Sequence, residues 1–380
     1  MDKKPILSIV VPTKDRYYYL KKLIELITGF GSNEIELVIQ DNTEDNSEML
    51  EYLNKAQYGR LKYFHLKEHI PISDNSTQAI LNSTGEYVCF IGDDDGVLPS
   101  ITDVAKYMKS KGIDALLSSP VTYDWPDFGD NSIYQLSSTV QYRKGKGDYK
   151  ELSAEKEIKK CLKSGIRDLC LLPRVYQGIV RRDFLDKVYQ KTGTYFPGGS
   201  PDMANAIALA LLNPKVVYFD APLIISGQCR TVGGGERLRK RNNLLRITEK
   251  PSLPCDIAET WDDRMPRYWC ADTIWPQSAI SAYKAMAVEL PNINFNQIMA
   301  TFIFDHPSYY KECKSFIANP LIFAYYFAKC FVVKGTRFIY WHLSYLLSNK
   351  KKRAGVFIKR DIKTINEAVV FLNTERSQSL

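Results

Sequence analysis

Histidine is scarce in this chain, with 4 residues among 380, and the 8 cysteines include no C-x-x-C pair and no close Cys/His spacing. A structural zinc site is therefore not expected, nor is a disulfide framework in a chain this long. The thiols read as reduced and intracellular. No stretch reaches the ~18 uninterrupted apolar residues that a membrane-spanning helix needs. The opening MDKKPILSIVVPT has too short an apolar run, and no cleavage site, for a secretory signal. Internal repeats and low-complexity tracts are absent. What remains is ordinary for a folded protein, 45% apolar and 25% charged residues. The length suits one large domain, or one domain with an accessory module. The net charge of +8 is local: residues 334–363 hold nine Lys or Arg against the single acid Asp361, and the rest of the chain is nearly balanced. A basic region confined to one end fits a local anionic partner.

The first 120 residues alternate strand and helix. Ile6 to Val11 is an apolar run, broken only at Ser8, with β-branched residues, a pattern that predicts a buried strand. Leu20, Leu23, Ile24 and Ile27 then follow helical spacing, with Gly29 and Gly31 as the stop. Strands are expected at 36–40, 61–66, 87–91, 115–118 and 215–219. Helices are expected at 75–81, 99–111, 153–164, 181–190 and 201–212. Residues 121–150 read as an irregular insertion or hairpin, and the chain from about 236 as mostly helix. Such alternation implies an α/β fold with a mostly parallel sheet covered on both faces. Ligands bind such sheets beyond the carboxyl ends of the strands. Polar clusters fall there: Thr13 to Arg16 after the first strand, Asp41-Asn42 after the second, and Asp93 to Asp95 after the fourth.

Three successive aspartates repel one another, and a cation relieves the repulsion. A diphosphate cannot rest on carboxylates unless a divalent cation stands between them. Mg²⁺ and Mn²⁺ favour oxygen ligands, one or two carboxylates together with substrate phosphates. The plain alternative is a solvated turn leading into the helix at Pro99.

The segments SIVVPTKDR, VIQDN and GEYVCFIGDDDGVLP stand in the order found in family 2 glycosyltransferases of the GT-A fold, and residues 5–235 resemble that family. The resemblance implies a GT-A (Rossmann-like) catalytic domain over 1–235, with residues 236–380 a mainly helical C-terminal region for membrane association or dimerisation. It implies an inverting, metal-dependent transfer of sugar from a nucleotide-diphosphate donor, a UDP-sugar foremost, to a glycan or lipid-linked acceptor in surface polysaccharide synthesis. Pro12, Thr13, Asp15 and Arg16 would line the nucleotide pocket, Asp41 would contact the base, and Asp74 or Asn75 the base or ribose. Ser73 or Asp74 equally suits a helix N-cap. The family's acidic motif, Asp-x-Asp-Asp, here begins with Gly92. Asp95, with Asp94, is expected to hold Mg²⁺ or Mn²⁺, and Asp93 the ribose.

The resemblance also places a general base at a helix start well after this motif, where Asp202 follows Ser200 as cap and Pro201 as first helical residue. A first-turn acid is also what the helix dipole favours, and the dipole would lower its pKa. Arg230, Thr231 and Gly233 to Gly235 read as a loop over the diphosphate or as a hinge. Arg181 and Arg182 read as a solvated helix face. Residues 321–347 are rich in aromatics, interrupted by Lys329, Lys334 and Arg337, and followed by Lys350 to Arg353. That pattern suits the surface of an anionic membrane, and a helical core or homodimer interface is the alternative. A cytoplasmic protein, peripheral on the inner face of the cell membrane, is expected, and no nucleic-acid partner. Two rival readings are a nucleotidyltransferase, disfavoured because Pro-Thr-Lys-Asp-Arg after the first strand lacks glycine, and a non-catalytic membrane-associated sugar-binding or scaffold subunit.

Overall fold

The computed structural model describes residues 4–55, 59–129, 136–230, 244–250 and 252–377. Nine strands form the path of one sheet. The four in parallel register are β4 (Tyr87–Phe90), β1 (Leu7–Thr13), β2 (Ile35–Asp41) and β3 (Leu61–His65), in that spatial order. Beyond β4 the sheet turns mixed. β9 (Gly178–Arg181) runs antiparallel between β4 and β6 (Ala115–Asp124), and β7 (Thr139–Tyr142) follows β6. Off this path, β10 (Val216–Gln228) pairs with β6, with β5 (Gly96–Val97) and with β8 (Tyr149–Leu152). The hairpin β11 (Lys352–Arg353) and β12 (Val356–Lys359) closes the far edge on β7.

Period-two alternation sorts the strand side chains into two cores. Leu7, Ile9, Val11, Leu37 and Ile39 pack beneath α1 (Tyr17–Thr28) and α4 (Ile101–Lys111). The C-terminal helix α11 (Ile365–Ser377) shares that layer, and Ile365 lies against Gly96 on β5. On the other face Val10, Val38, Val88 and Phe90 pack under α3 (Ile72–Leu81), α6 (Arg182–Thr192) and α7 (Pro201–Leu211). Behind α7 lie α8 (Ala271–Ala285) and α9 (Phe295–Asp305). The two remaining helices of this layer sequence are α2 (Ser47–Leu53) and α5 (Ala154–Lys163). The long helix α10 (Pro320–Leu347) rests on α9 by aromatic contacts of Phe327 and Phe331 with Phe304.

The mostly parallel sheet flanked by helices, with helices gathered towards the C-terminus, is therefore the architecture present. Four local expectations change. Residues 121–150 are no single irregular insertion, because β6 runs on to Asp124 and β7 and β8 both join the sheet. The strand from Val216 continues to Gln228. The basic segment after Leu347 forms the β11–β12 hairpin, with Lys352 over the Phe357 ring and Arg353 donating to Gln141 Oε1 at 2.7 Å. Neither Ser73 nor Asp74 caps α3, which starts after Pro71.

At the end of the sheet away from the ligand side, Glu36 is a buried anchor. It accepts hydrogen bonds from Ser8 Oγ at 2.6 Å, Thr84 Oγ1 at 2.8 Å and the Gly85 amide at 3.0 Å, and pairs with Lys62 at 2.7 Å. Burial alone would raise its pKa, but Lys62, Ser8 and Thr84 together hold it down to about 2. A depressed carboxylate contributes stability above its unfolded value, and that contribution is lost as pH falls through the folded value. Glu36→Gln is expected to cost about 3 kcal/mol at neutral pH, by the pKa-to-energy conversion. The gap from the parent should close as pH falls from about 4.5 towards 2. Urea unfolding at several pH values measures it.

Candidate active site at the strand ends

β1 and β4 end side by side, and their loops put the first and third polar clusters in contact. Thr13 Oγ1 donates to Asp93 Oδ2 at 2.6 Å. Arg16 Nη2 lies 3.1 Å from Asp93 Oδ1 and 2.9 Å from Asp94 Oδ1. All three aspartates are buried, at 1–3% exposure. Asp95 is held by the protein itself: Oδ2 accepts the Gly92 amide at 2.8 Å, Oδ1 the Gly227 amide at 2.7 Å, and Gln177 Nε2 approaches both oxygens. Asp94 is held by its backbone, whose carbonyl accepts Trp125 Nε1–H at 2.9 Å.

Three carboxylates face one guanidinium here. Burial, and then the neighbouring Asp94, pushes Asp95 up to about 8, while burial raises Asp93 to about 7 against the pull of Arg16. Arg16 Nε and Asp94 Oδ2 stay buried without a hydrogen-bond partner, and Asp93 Oδ1 has only its ion pair with Arg16. Such atoms are costly, and their chemistry is specific. Two anionic acceptors suit a hard divalent cation, and a guanidinium donor beside them suits an anion. The residues thus fit Mg²⁺ or Mn²⁺ together with a phosphate group.

Gly92 stands where an acid was expected, and geometry accounts for it. A Cβ there would sit 3.0 Å from Asp94 Oδ1 and 3.4 Å from Asp95 Oδ2, so a fourth side chain would crowd the carboxylates. Gly227 is stricter, since its Cβ would lie 1.8 Å from the Asp94 carbonyl oxygen. Gly227→Ala is expected to displace Asp94 and cost at least tenfold in donor affinity, checked by calorimetry alongside a circular dichroism spectrum.

Asp202 sits in the first turn of α7, after Ser200 and Pro201 as the sequence implies. It is half-buried, with Ser200 Oγ 3.5 Å away. The helix dipole would lower its pKa, yet burial raises it, against the pull of Arg174 and Ser200. Tyr176 joins Asp202 to the triplet. Its phenol is held far above the ordinary value by burial, and then by the carboxylates of Asp95, Asp202 and Asp94.

The other sequence-derived residues lie around this centre. Asp41 is fully buried, and its oxygens accept from Tyr17 at 2.7 Å, Tyr63 at 2.6 Å and the Thr43 amide at 2.9 Å, so it braces the end of β2. Pro12 is half-buried on β1, beside Gln40. Asp15 and Asp74 are exposed. Asp15 has φ +57°, and its amide donates to Thr43 Oγ1. Asn75 is buried, and its Oδ1 has no partner. Arg230 is exposed, and its amide approaches Asp127 Oδ2 at 3.4 Å. Thr231 and Gly233 to Gly235 lie outside the described residues. Arg181 and Arg182 are not a solvated face of the site. Arg181 pairs with Asp114, and Arg182 donates to Gly85 O and Ser83 Oγ, at the sheet's opposite end.

The profile of Glycosyl transferase family 2 matches residues 8–171, which span β1, the acidic triplet and β6 to β8. That segment, under half of the chain, thus matches a family 2 glycosyltransferase domain. Its sequence is 30% identical over 97 residues to a GalNAc(5)-diNAcBac-PP-undecaprenol beta-1,3-glucosyltransferase of Campylobacter jejuni, covering 25% of this chain and 31% of that one. The match thus spans about a third of that relative's length. Among solved structures, the chain is similar to S. aureus TarS 1-349 in complex with UDP-GlcNAc. The TM-score is 0.48 at 16% identity, over 84% of this chain and 77% of that one. The mannosyltransferase PcManGT of Pyrobaculum calidifontis, in complex with GDP-Man and Mn2+, gives 0.41 at 13% identity, over 86% and 88%.

Sequence reasoning missed four residues of the candidate site: Trp125, Tyr176, Gln177 and Cys229. Cys229 Sγ accepts from Arg16 Nη2 at 3.0 Å. Trp125 and Cys229 each follow directly on a strand at the same edge as Asp95, β6 and β10 respectively. That position was a readable signal once both strands were extended to their true ends.

Proposed function

We propose that this chain is an inverting glycosyltransferase that draws its donor from a nucleotide-diphosphate sugar, a UDP-sugar foremost, with a divalent cation held on Asp94 and Asp93. The observation that carries the reading is a pair of buried carboxylates, Asp93 and Asp94, sharing the one guanidinium of Arg16, with Asp94 Oδ2 left for a cation and Arg16 Nε for a phosphate oxygen. The sequence put Asp95 first among the metal ligands. The hydrogen bonding favours Asp94, because both oxygens of Asp95 already serve Gly92, Gly227 and Gln177. Bound Mg²⁺ or Mn²⁺ supplies positive charge for the departing diphosphate. Thr13 fixes Asp93, Trp125 fixes Asp94, and Arg16 Nε–H donates to the diphosphate.

Asp202 takes the proton of the acceptor hydroxyl as that oxygen attacks the anomeric carbon. A base poised nearer neutrality transfers protons more effectively, and burial supplies that rise. A raised carboxylate is protonated over a wider acid range. The acid limb of kcat/KM is therefore expected above the ordinary carboxylate range, and a limb near pH 4 would remove Asp202 as base. In this reading residues 1–235 hold the donor, Pro12, Asp15, Asp41, Asp74, Asn75 and Arg230 shape the nucleotide pocket, and residues 236–380 serve the acceptor side. Titration of UDP-sugars with and without Mn²⁺, followed by a hydrolysis panel, tests the reading. Binding without metal dependence would support the sugar-binding scaffold instead.

A lipid-linked acceptor in surface polysaccharide assembly is supported by the Campylobacter relative, whose name carries an undecaprenol diphosphate substrate. It is supported independently by α10. Tyr325, Val332, Ile339, Leu343 and Leu346 recur at helical spacing, each at least 53% exposed. Lys350, Lys351 and Lys352 follow directly and are exposed. No helix among the described residues is long and apolar enough to cross a membrane. A surface of this chemistry lies flat on an anionic bilayer, each basic residue contributing about 1 kcal/mol. The protein then works at the inner face of the cell membrane. The full chain is expected to co-sediment with phosphatidylglycerol vesicles at least tenfold better than with phosphatidylcholine vesicles, and V332D/I339D is expected to lose the difference. Indifference to lipid charge, with a concentration-dependent dimer in sedimentation velocity that V332D/I339D abolishes, would make the face a homodimer interface instead.

A further inference from the structure

A second group of metal-ligating side chains lies outside the strand-end site. Cys270 is the N-cap of α8, Asp272 stands in the first turn of the same helix, and His306 ends α9. Their sulfur, oxygen and nitrogen atoms lie within 4.8 Å of one another. Asp272 is 2% exposed and His306 8%. Arg167 Nε engages only one oxygen of Asp272, Oδ1, at 2.8 Å. The other, Oδ2, is buried without a hydrogen-bond partner and faces His306 Nε2 at 3.9 Å. That gap is too long for a hydrogen bond. Two ligands of one tetrahedral zinc, each about 2.1 Å from the metal, stand about 3.4 Å apart. A movement of about half an ångström brings this pair to that spacing, and the sulfur, within 4.8 Å of both, needs at most about 1.2 Å.

We infer that Cys270, Asp272 and His306 form a zinc site that ties the start of α8 to the end of α9. Thiolate and imidazole ligands select zinc over the Mg²⁺ or Mn²⁺ expected at the oxygen-only aspartates. The cation supplies the charge that lets the thiol ionise. Thr273 Oγ1, 3.3 Å from the sulfur, steadies it, and the Phe302 ring, 5.3 Å from the imidazole, walls the other side. Charge around the site is organised. Arg167 spans Asp272 and Asp305, and Lys334 of α10 closes on Asp305. With three protein ligands, water takes the fourth position. α8 packs on α7, where Ser278 Oγ accepts the Ser200 amide at 2.8 Å beside Asp202, so a metal here braces the acceptor-side helices. The inference does not depend on the proposed transfer reaction. The ligands lie too far apart in sequence to form a zinc spacing, so the pattern by itself argued against zinc.

The test uses the full chain, stripped with a chelator, dialysed, and titrated with Zn²⁺ against a chromophoric competitor and separately with Co²⁺. One equivalent of Zn²⁺ is expected, a rise of several degrees in Tm, and an intense thiolate-to-cobalt charge-transfer band. C270S should abolish the band, and both C270S and H306Q should weaken Zn²⁺ binding more than about 100-fold, beyond what loss of an outer-shell partner costs. C229S, next to the aspartates, should leave the band intact. H306Q serves on its own if C270S fails to fold. A Zn²⁺ stoichiometry near zero, or a band that survives C270S or disappears in C229S, would overturn the inference.

Discussion

Asp94→Ala is expected to lower sugar transfer by about a thousandfold, the scale seen when a preorganised charge at the leaving group is lost. The same variant should abolish the metal dependence of donor binding. The fold should survive, because Asp94 is anchored by its carbonyl to Trp125 and its side chain carries the unpartnered Oδ2. Removing it also releases Arg16 to pair with Asp93 alone. Unchanged Tm with lost transfer is the signature. Asp95→Ala should behave differently, leaving the Gly92 and Gly227 amides buried without acceptors and lowering stability as well. Thermal melts beside initial rates separate the two. Equal turnover in parent and Asp94→Ala would remove Asp94 from the mechanism.

Asp202→Asn is expected to cost between a hundred- and ten-thousandfold in kcat, the range for loss of a general base. Donor affinity should be unchanged, because Asp202 stands on α7 and not among the strand-end carboxylates that face Arg16. Asparagine keeps the size and the N-terminal position on α7 while removing the proton acceptor. The acid limb of the pH profile should vanish with the residue. A pH profile that keeps its acid limb in Asp202→Asn would assign the base elsewhere, and a fall in donor affinity equal to the fall in rate would make Asp202 a donor ligand.

Much of this geometry was readable from the chain. β1, β2 and β4 are largely apolar segments ending in polar clusters, and both the fold class and the position of Asp93 to Asp95 follow from that pattern. β9 was not legible. It has four residues, lies between two strands and leads straight into α6, so its Ile179 and Val180 read as the lead-in to a helix. The β11–β12 hairpin was hidden by its charge. Lys352 and Arg353 are held by the Phe357 ring and by Gln141, contacts that exist only once the chain has returned to β7. The same limit applies to the site. Thr13, Arg16 and the aspartates stand at strand ends, whereas Tyr176 and Gln177 reach Asp95 from an irregular segment before β9. The balance of terms on Asp202 was also beyond the sequence, which shows a helix dipole but no surrounding atoms. The dipole argued for a lowered pKa, and burial overrides it.

The most direct test of the central claim is calorimetric titration of the full chain with UDP-sugars, with and without Mn²⁺, in the parent and in Asp94→Ala. The account predicts binding that requires Mn²⁺ in the parent and is lost in the variant. Binding of equal strength with and without the metal, in both proteins, would contradict it.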